Sequence, residues 1–281
     1  MKLISFRRAG RDGFGAVVND QVVDLTGAIA GIGSVIELLA AGKVAEAGRH
    51  AATAKPAFAL SDCTLLPPVP NPSKIVCVGV NYVDHASEAG RKVGDHPVIF
   101  HRFAETLVAP GEPLIRPKVS QAFDYEGELA VVMGRGGMHI AESDAMAYVA
   151  GYTCFNDASI RDWQFHTHQY GMGKNFQGSG PLGPWLVTVD EIPDYRKMEL
   201  RTVVSGEELQ HGRLDQLAFD IPRLISYVSK ALPWKAGDVL ATGTPAGVGF
   251  VRKPPRFLVP GDVVEVTITG VGTLRNSVRD E

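Results

Sequence analysis

Three acidic side chains in the 281-residue sequence have the types and spacing that can hold a divalent cation. Glu126 and Glu128 lie two residues apart just before the apolar run 129–133, so a β-strand would place both carboxylates on one face. Two carboxylates that point into a partly buried space repel each other and lose hydration unless a cation compensates them. The spacing alone is equally compatible with a strand end whose glutamates face water.

A third carboxylate favours the metal interpretation. Residues 149–155 predict a buried strand, and Asn156 and Asp157 stand where this strand would emerge. The ends of strands commonly present ligands to a pocket. Carboxylates are hard oxygen donors that suit Mg²⁺, Mn²⁺ or Ca²⁺ better than zinc. The sequence by itself does not place the two strands side by side.

A basic group lies where it could work beside such a metal. Residues 81–90 predict a short helix that Gly90 ends, and His85 and Glu88, at positions i and i+3, share one face of it. Glu88 would accept a hydrogen bond from one imidazole nitrogen and leave the other free to take a proton from water. The competing interpretation, a surface histidine–glutamate pair, is the more common one for this spacing taken alone.

Three further segments contain residues that could take part in chemistry. Lys174 lies in the glycine-flanked segment 173–176, where most lysines are solvated. The glycine-rich segment 242–249 follows a predicted strand and offers backbone amides that can hold a carboxylate, although it is neither a P-loop nor a dinucleotide motif. His166 and His168 have no HExxH motif or cysteine partner, so a polar loop is the better interpretation than a zinc hydrolase.

The elements that must position these groups are short. The 31 glycines and 18 prolines divide the chain into brief segments and favour a β-rich α+β fold. Four closely spaced prolines in residues 66–72 predict an extended connector. We therefore expect a small N-terminal α/β unit over residues 1–68 and a catalytic domain over residues 74–281. The N-terminal unit carries no evident chemistry and is interpreted as a structural or oligomer-contacting appendage.

Alternating or apolar runs bounded by turn residues give the individual predictions. In the N-terminal unit, strands are predicted at 2–6, 15–18 and 21–25, a hairpin turn at Asn19–Asp20, and a helix that Ser34 and Glu37 cap and Gly42 ends. After the connector, strands are predicted at 75–80, 129–133, 149–155, 185–189, 200–204, 239–242 and 263–269, and helices at 84–89 and 221–231.

Composition and charge exclude several classes of protein. The 31 acidic and 28 basic residues give a formal net charge of −3, which disfavours a nucleic-acid binder. No run approaches the ~20 apolar residues of a membrane-spanning helix, and no apolar signal-peptide segment is recognised. Cys63, Cys77 and Cys154 form no CxxC motif or disulfide framework. We expect a cytoplasmic protein that acts on a small molecule.

Several segments together resemble the fumarylacetoacetate hydrolase (FAH) superfamily, which includes acylpyruvate hydrolases, oxaloacetate decarboxylases and dienoate isomerases. The matching segments occur in the family's order from about Lys74 to the C-terminus. They are 79–82 with His85 and Glu88, 124–129, 151–153, 156–157, 161–162, 173–176, 180–185, 237–239, 242–245, 261–262 and 272–274.

The resemblance implies an FAH-type mixed β-roll, a homodimer and a metal-dependent active site. It implies that Mg²⁺ or Mn²⁺, with Ca²⁺ as a substitute in crystals, is bound by Glu126, Glu128 and Asp157. His85 and Glu88 match the family's water-activating dyad, on a segment that often orders only when ligand binds. The other implied catalytic and substrate-binding positions are Lys174, Gln164, Tyr82, Arg102, Arg161 and Thr244. Arg102 stands where many members have lysine, which changes reach and donor geometry.

From this resemblance we expect hydrolysis of a 2,4-dioxo acid of the acylpyruvate type. The metal would orient the substrate and polarise its 2-oxo group, His85 would activate the attacking water, and a pyruvate enolate would leave. Decarboxylation of oxaloacetate, or isomerisation or hydration of a 2-hydroxy-dienedioate, are alternatives at the same site. A non-catalytic scaffold that binds metal or ligand is the alternative of a different class.

Overall fold

Short strands, most of them paired antiparallel, are the main regular elements of the protein. The computed structural model describes residues 1–90 and 92–281. The strands are β1 (Lys2–Arg8), β2 (Arg11–Val18), β3 (Gln21–Asp24), β4 (Phe58–Ala59), β5 (Thr64–Leu66), β6 (Ile75–Val78), β7 (Ile99–Arg102), β8 (Leu107–Val108), β9 (Leu114–Arg116), β10 (Phe123–Asp124), β11 (Gly127–Met133), β12 (Val149–Asn156), β13 (Ser159–Ile160), β14 (Gly180–Thr188), β15 (Glu199–Val204), β16 (Glu207–Arg213), β17 (Val239–Ala241), β18 (Val263–Ile268) and β19 (Gly272–Asp280). The helices are α1 (Val35–Ala40), α2 (Val44–Thr53), α3 (Val83–Glu88), α4 (Arg161–Gln164), α5 (Gly171–Lys174) and α6 (Ile221–Ser229).

The strands assemble into two main sheets over the described residues. The larger one has the order β4-β3-β2-β1-β14-β12-β11-β17-β6-β7, with β5 added beside β1 and β8 beside β14. The second has the order β16-β15-β18-β19-β9, and β10 and β13 form a separate two-stranded pair. The fold is strand-rich α+β, as the sequence predicted.

Burial explains why the central strands are apolar. Every residue of β11 and β12 is buried, because both faces of these strands are covered. In the second sheet, β18 alternates between buried and half-buried positions, as expected for a strand with one face towards the core. Side chains from the two sheets, among them Leu129, Val131, Leu200, Val266 and Leu274, share one apolar core.

The N-terminal strands continue the large sheet across the predicted domain boundary. Strand β1 pairs antiparallel with β14, with Leu3 opposite Leu186. The predicted hairpin turn is present, since Asn19 and Asp20 have φ of 49° and 58°, the left-handed values that a two-residue hairpin needs. The division into residues 1–68 and 74–281 stays a prediction.

The cap of α1 differs in one contact from the predicted capping box. The Ser34 hydroxyl accepts from the Glu37 backbone N–H, as predicted. The Glu37 carboxylate, however, accepts from the backbone N–H of Gly33, one residue earlier than a capping box requires. Gly42, with φ of 64°, follows the helix end.

Several elements extend beyond the predicted limits or were not predicted. The strand predicted at 185–189 is β14, which begins at Gly180 and passes through Gly183 and Pro184, where its register with β12 is irregular. The helix predicted at 221–231 ends at Ser229. The sequence reasoning missed α2, whose buried face is formed by the small residues Ala47 and Ala51. It also missed β16 and β19, which are rich in polar residues and owe their order to pairing with neighbouring strands. None of the described helices has the length and apolar character that crossing a membrane requires.

Candidate active site

Antiparallel pairing of β11 with β12 brings the three predicted metal ligands together. Glu126 directly precedes β11 and Glu128 lies within it, whereas Asp157 follows the end of β12. The Asp157 backbone N–H donates to the Glu126 carbonyl at 2.9 Å. One carboxylate oxygen from each of the three residues lies within 4.8 Å of the others. The adjacency that spacing alone did not provide is therefore a result of strand pairing.

Three buried cations surround this acidic triad. The Lys174 ammonium lies 2.6 Å from an oxygen of Glu126 and 2.6 Å from an oxygen of Asp157. Arg102 contacts the other oxygen of Asp157 at 2.7 Å, and Arg161 contacts the other oxygen of Glu126 at 2.7 Å. Burial lowers the pKa of Lys174, but the two carboxylates outweigh burial and raise it above its ordinary value, so the side chain is a cation.

Glu128 differs from its two neighbours because no described cationic side chain lies within ion-pairing distance of it. Its carboxylate accepts a hydrogen bond from the Gly243 backbone N–H at 2.9 Å. Burial raises the pKa of Glu128 well above its ordinary value, and the charges of Asp157 and Glu126 raise it further. This carboxylate therefore lacks a counter-charge inside a dry site.

The donor chemistry of the triad fits a divalent cation. It offers carboxylate oxygens from Glu126, Glu128 and Asp157, which is the ligand type that Mg²⁺ and Mn²⁺ prefer. The uncompensated Glu128 supplies the negative charge that such an ion would neutralise. The residues present thus fit the metal that the resemblance implied.

His85 of the predicted histidine–glutamate pair lines the same cleft as Glu126 and Glu128. His85, on α3, contacts Glu88 through Nδ1 at 2.8 Å. The Glu88 carboxylate also accepts from the Gly247 backbone N–H, at 3.0 Å to each oxygen. Because Glu88 occupies Nδ1, Nε2 is the imidazole nitrogen that His85 can present to the cleft.

The cleft that joins these groups has an empty volume of about 440 Å³, part of it open to solvent. Its polar lining contains His85, Glu126, Glu128, Arg161, Gln164, Lys174 and Thr244. Its aromatic lining contains Phe100, Phe165, Tyr170 and Phe250. A cationic and aromatic lining beside an acidic triad that fits a divalent cation suits a small organic anion.

Hydrogen bonds within the protein decide what Gln164 and Thr244 can offer to a ligand. Gln164 accepts from Arg161 through its side-chain carbonyl at 2.9 Å, which leaves its amide N–H groups for the cleft. The Thr244 hydroxyl donates to the Gly127 carbonyl at 2.8 Å and accepts from the Gln210 amide at 2.7 Å. The Thr244 side chain can therefore accept a further hydrogen bond but has no proton left to donate.

Two predicted substrate-binding residues lie away from the cleft. Neither Tyr82 nor Arg102 is among the described residues that line it. The buried Tyr82 hydroxyl has no hydrogen-bond partner in the described part of the chain. Arg102 is buried behind Asp157 and also donates to Ser179 at 2.6 Å. Direct contact of either residue with substrate stays a prediction that this geometry does not favour, and the observed contact of Arg102 is with Asp157.

The glycine-rich segment 242–249 does hold carboxylates, but they belong to the protein. Besides Gly243 and Gly247, which donate to Glu128 and Glu88, the N–H of Gly249 donates to Asp124 at 2.8 Å. Asp124 is fully buried and accepts from Arg161 at 2.7 Å. Asp124 was missed as a site residue, because no local signal in the sequence connects it with a turn more than 120 residues away.

The sequence model described as fumarylacetoacetate (FAA) hydrolase C-terminal matches residues 74–279. The chain belongs to the fumarylacetoacetate hydrolase family. It is 44% identical over 234 residues to the mitochondrial oxaloacetate tautomerase FAHD2A of Homo sapiens, covering 83% of this chain and 74% of the relative. It is 40% identical over 260 residues to the oxaloacetate tautomerase YisK of Bacillus subtilis, covering 88% and 86%.

Solved structures agree with this membership. The fumarylacetoacetate hydrolase of Exiguobacterium antarcticum is 33% identical, with a TM-score of 0.84 over the full length of both chains. The maleylpyruvate hydrolase of Sphingobium sp. SYK-6, solved with manganese(II) and pyruvate, is 27% identical, with a TM-score of 0.84 over 100% of this chain and 99% of that one. The predicted family and its strand-rich fold are confirmed.

Proposed function

We propose that this FAH-family chain is a divalent-metal-dependent enzyme for small 2-oxo acids, and that its reaction is the keto–enol tautomerisation of oxaloacetate. The observation that carries the proposal is the cleft that His85 lines together with Glu126, Glu128 and Lys174. The names of the curated relatives, oxaloacetate tautomerases at 40–45% identity, support the choice of reaction. The predicted cytoplasmic location stays a prediction.

Glu126, Glu128 and Asp157 would hold the metal, for which both Mg²⁺ and Mn²⁺ suit the oxygen ligands. When bound, the ion supplies Lewis-acid polarisation of the substrate's oxo group and two positive charges. Asn156 helps to fix the ligands, because its side chain accepts from the Glu126 backbone N–H at 2.9 Å.

The protein's own groups can carry the proton transfer. His85 Nε2 takes the C3 proton of the keto form, while Glu88 holds the imidazole by Nδ1. Negative charge then develops on the C2 oxygen, which the positive charge of Lys174 would stabilise and to which the Gln164 amide can donate a hydrogen bond. Return of the proton from His85 to that oxygen gives the enol, and the reverse sequence gives the keto form. Protons and electrons balance without another reactant.

The charge of the site suits a dianionic substrate. When all of them are ionised, the four buried carboxylates outnumber the three buried cations by one, which gives a formal charge of −1 without metal and +1 with a divalent ion. The carboxylates are Asp124, Glu126, Glu128 and Asp157, and the cations are Arg102, Arg161 and Lys174. We infer that metal binding converts a site that repels an organic anion into one that attracts it.

Hydrolysis of a C–C bond in a 2,4-dioxo acid is the second candidate, and the similarity to a maleylpyruvate hydrolase favours it. The same His85 nitrogen would then deprotonate a water that attacks the carbonyl, and cleavage would release pyruvate. Decarboxylation of oxaloacetate and isomerisation of a hydroxy-dienedioate would use the same groups, and the name of a neighbouring structure includes such an isomerase. A binding scaffold would bind metal and pyruvate without turnover.

The Mn²⁺-loaded protein is assayed for loss of enol oxaloacetate by ultraviolet absorbance, and for pyruvate release from oxaloacetate, maleylpyruvate and acylpyruvates. We expect tautomerisation without stoichiometric pyruvate release. His85→Gln should lower kcat by at least about 100-fold, because it removes the proton-transfer group. His211→Gln is the matched control, since that histidine is exposed and contacts Glu199.

Pyruvate release that outpaces tautomerisation would favour hydrolysis or decarboxylation instead. Full activity of His85→Gln would exclude His85 as the proton-transfer group in any of these reactions. Binding of Mn²⁺ and pyruvate with no turnover of any substrate would support the scaffold.

A homodimer is the proposed assembly. A large groove is lined by apolar side chains, among them Leu107, Ile115 and Trp163, and it lies next to α5, which carries Lys174. Its rim bears both Arg279 and Glu281, so the charges of one copy can meet opposite charges of a second copy.

A further inference from the structure

The peptide groups around Gly247 are held from both directions. On one side, the Gly247 N–H donates to both carboxylate oxygens of Glu88 at 3.0 Å. On the other, the Gly247 carbonyl accepts from the Tyr125 hydroxyl at 3.0 Å and from Arg252 Nε at 3.1 Å. The residue that holds the His85–Glu88 pair is therefore itself fixed by two side chains from other parts of the chain.

Arg252 contacts backbone carbonyls instead of a carboxylate. Its Nη2 donates to the Leu209 carbonyl at 2.7 Å, so that the guanidinium bridges the glycine-rich turn and strand β16. No carboxylate of the described residues lies within ion-pairing distance of this guanidinium. An arginine placed in this way acts through directed hydrogen bonds, because its planar fork presents several donors in a fixed geometry.

Tyr125 is the second holding group, and it comes from the segment that leads to the metal ligands. Its side chain is buried. Its hydroxyl donates to the Gly247 carbonyl at 3.0 Å. The Gly247 carbonyl therefore accepts hydrogen bonds from two side chains, those of Tyr125 and Arg252.

The backbone at Gly247 requires both glycine and an external support. Its φ is +105°, a value that other residues rarely adopt, and an added Cβ would lie 2.0 Å from the Leu209 carbonyl oxygen. Glycine has no side chain that could anchor this conformation, and it loses more conformational freedom on folding than other residues. The N–H and the carbonyl of Gly247 belong to successive peptide groups that meet at its Cα, so contacts made to the carbonyl also restrict the N–H.

We propose that Tyr125 and Arg252 are positioning residues for His85, which act through the Gly247 peptide and Glu88. By holding the Gly247 carbonyl, they aim the Gly247 N–H at Glu88, and Glu88 in turn holds His85 with Nδ1 protonated and Nε2 free. The proposal rests on the proposed function only in assigning a consequence for turnover. The structural part concerns the tautomer of His85, which can be observed without substrate.

The experiment uses the Mg²⁺-loaded protein with ¹⁵N-labelled histidines. The signal of His85 is assigned as the one that disappears in His85→Gln. In the wild type we expect the tautomer with Nδ1 protonated, and in Tyr125→Phe and Arg252→Met a mixture of tautomers. We also expect kcat to fall by about tenfold in each variant, with KM and Mg²⁺ affinity unchanged. Mutation of a residue that orients an active-site group through hydrogen bonds typically lowers activity by about 10–100-fold.

Matched variants separate positioning from loss of structure. Tyr152→Phe removes a hydroxyl from a buried tyrosine whose ring is near that of Tyr195, away from the cleft. Arg256→Met removes an arginine of the same loop that pairs with Asp262. Both should keep the wild-type tautomer of His85 and the wild-type kcat.

An unchanged His85 tautomer in both Tyr125→Phe and Arg252→Met would overturn the proposal. Changes in KM or Mg²⁺ affinity with the tautomer unchanged would overturn it as well, because they would indicate a structural role. If Arg252→Met fails to fold, the isosteric Tyr125→Phe still decides. A failure of the proposed function would be seen separately, as wild-type activity of His85→Gln. In that case the tautomer of His85 in Tyr125→Phe and Arg252→Met still tests the positioning proposal.

Discussion

Charge compensation is unequal among the three buried carboxylates of the triad. Glu126 and Asp157 each contact Lys174 and one arginine, whereas Glu128 accepts a hydrogen bond from the Gly243 backbone N–H and contacts no described cation. An isolated buried charge is costly, and a paired one becomes costly when its partner is removed. Removal of the charge from Glu128 and from Asp157 should therefore have opposite effects on the metal-free protein.

Glu128→Gln should leave the metal-free fold as stable as the wild type, or stabilise it by about 1 kcal/mol, because it replaces a buried carboxyl group that has no cationic partner with a neutral amide of similar shape. The same change should lower Mn²⁺ affinity by more than about tenfold, because mutation of a residue that only hydrogen-bonds to a metal ligand already lowers metal affinity by about that factor. Urea unfolding in the presence of a chelator and calorimetric titration with Mn²⁺ measure the two effects.

Asp157→Asn is the matched comparison. It should also weaken Mn²⁺ binding, but it should lower the free energy of unfolding of the metal-free protein by about 3 kcal/mol, because Arg102 and Lys174 lose a buried partner. Equal destabilisation of the metal-free protein by both changes would contradict this account of the charges.

Among the secondary-structure elements, the turn before β18 depends on one carboxylate. Asp262 accepts from the Val259 N–H at 2.9 Å and from the Ser205 hydroxyl at 2.7 Å, and it pairs with Arg256 at 2.8 and 2.9 Å. Burial raises the pKa of Asp262, but these hydrogen bonds and the charge of Arg256 outweigh burial and lower it below the ordinary value. Asp262 thereby joins the β15–β16 hairpin to the turn that starts β18.

Asp262→Asn should lower the free energy of unfolding by about 2 kcal/mol at pH 7, because charge-assisted hydrogen bonds are lost. The folded-state pKa lies below the unfolded one, so the ionised group stabilises the fold fully above about pH 4 and loses this effect as the pH falls through the folded pKa. Urea unfolding at pH 7 and at pH 3 should therefore show a difference from wild type that shrinks with acid.

A surface aspartate provides the control. Asp215 pairs with Arg213 in solvent, where such pairs contribute little, so Asp215→Asn should leave the free energy of unfolding unchanged. A difference between Asp262→Asn and wild type that stays constant down to pH 3 would exclude the ionised carboxylate as the stabilising group.

At the scale of the whole molecule, the apolar groove beside α5 is the surface at which we expect two copies of the chain to associate. Val119 and Met172 line this groove and are 60% and 64% exposed. Large exposed apolar patches with a polar rim are typical of protein–protein contacts. Because Met172 and Lys174 share one short helix, contact at this surface would also support the active site.

We expect light scattering to give twice the 30.1 kDa mass of one chain. Val119→Glu combined with Met172→Glu should give the mass of a single chain, because two charges would be buried in the contact. Leu232→Glu, at an exposed leucine that is not among the described residues lining the groove, should leave the mass unchanged. A wild-type mass of one chain would contradict the proposed homodimer.

The parts of the site that could be read from the sequence are those set by local geometry. Side chains at i and i+2 of a strand share a face, which was sufficient to group Glu126 with Glu128. Side chains at i and i+3 of a helix are neighbours, and His85 and Glu88 are indeed in contact. The strand-rich fold followed in the same way from short apolar runs between turn residues.

Contacts between distant segments could not be read in this way, because no local periodicity specifies a partner many residues away. Pairing of β11 with β12 brought Asp157 to Glu126, and α5 placed Lys174 between them. Packing also turned Arg102 towards Asp157 instead of the cleft. Residue types and their spacing along the chain thus determined which chemistry was available. Long-range strand pairing and packing determined which of those groups meet, because only the folded chain brings them within bonding distance.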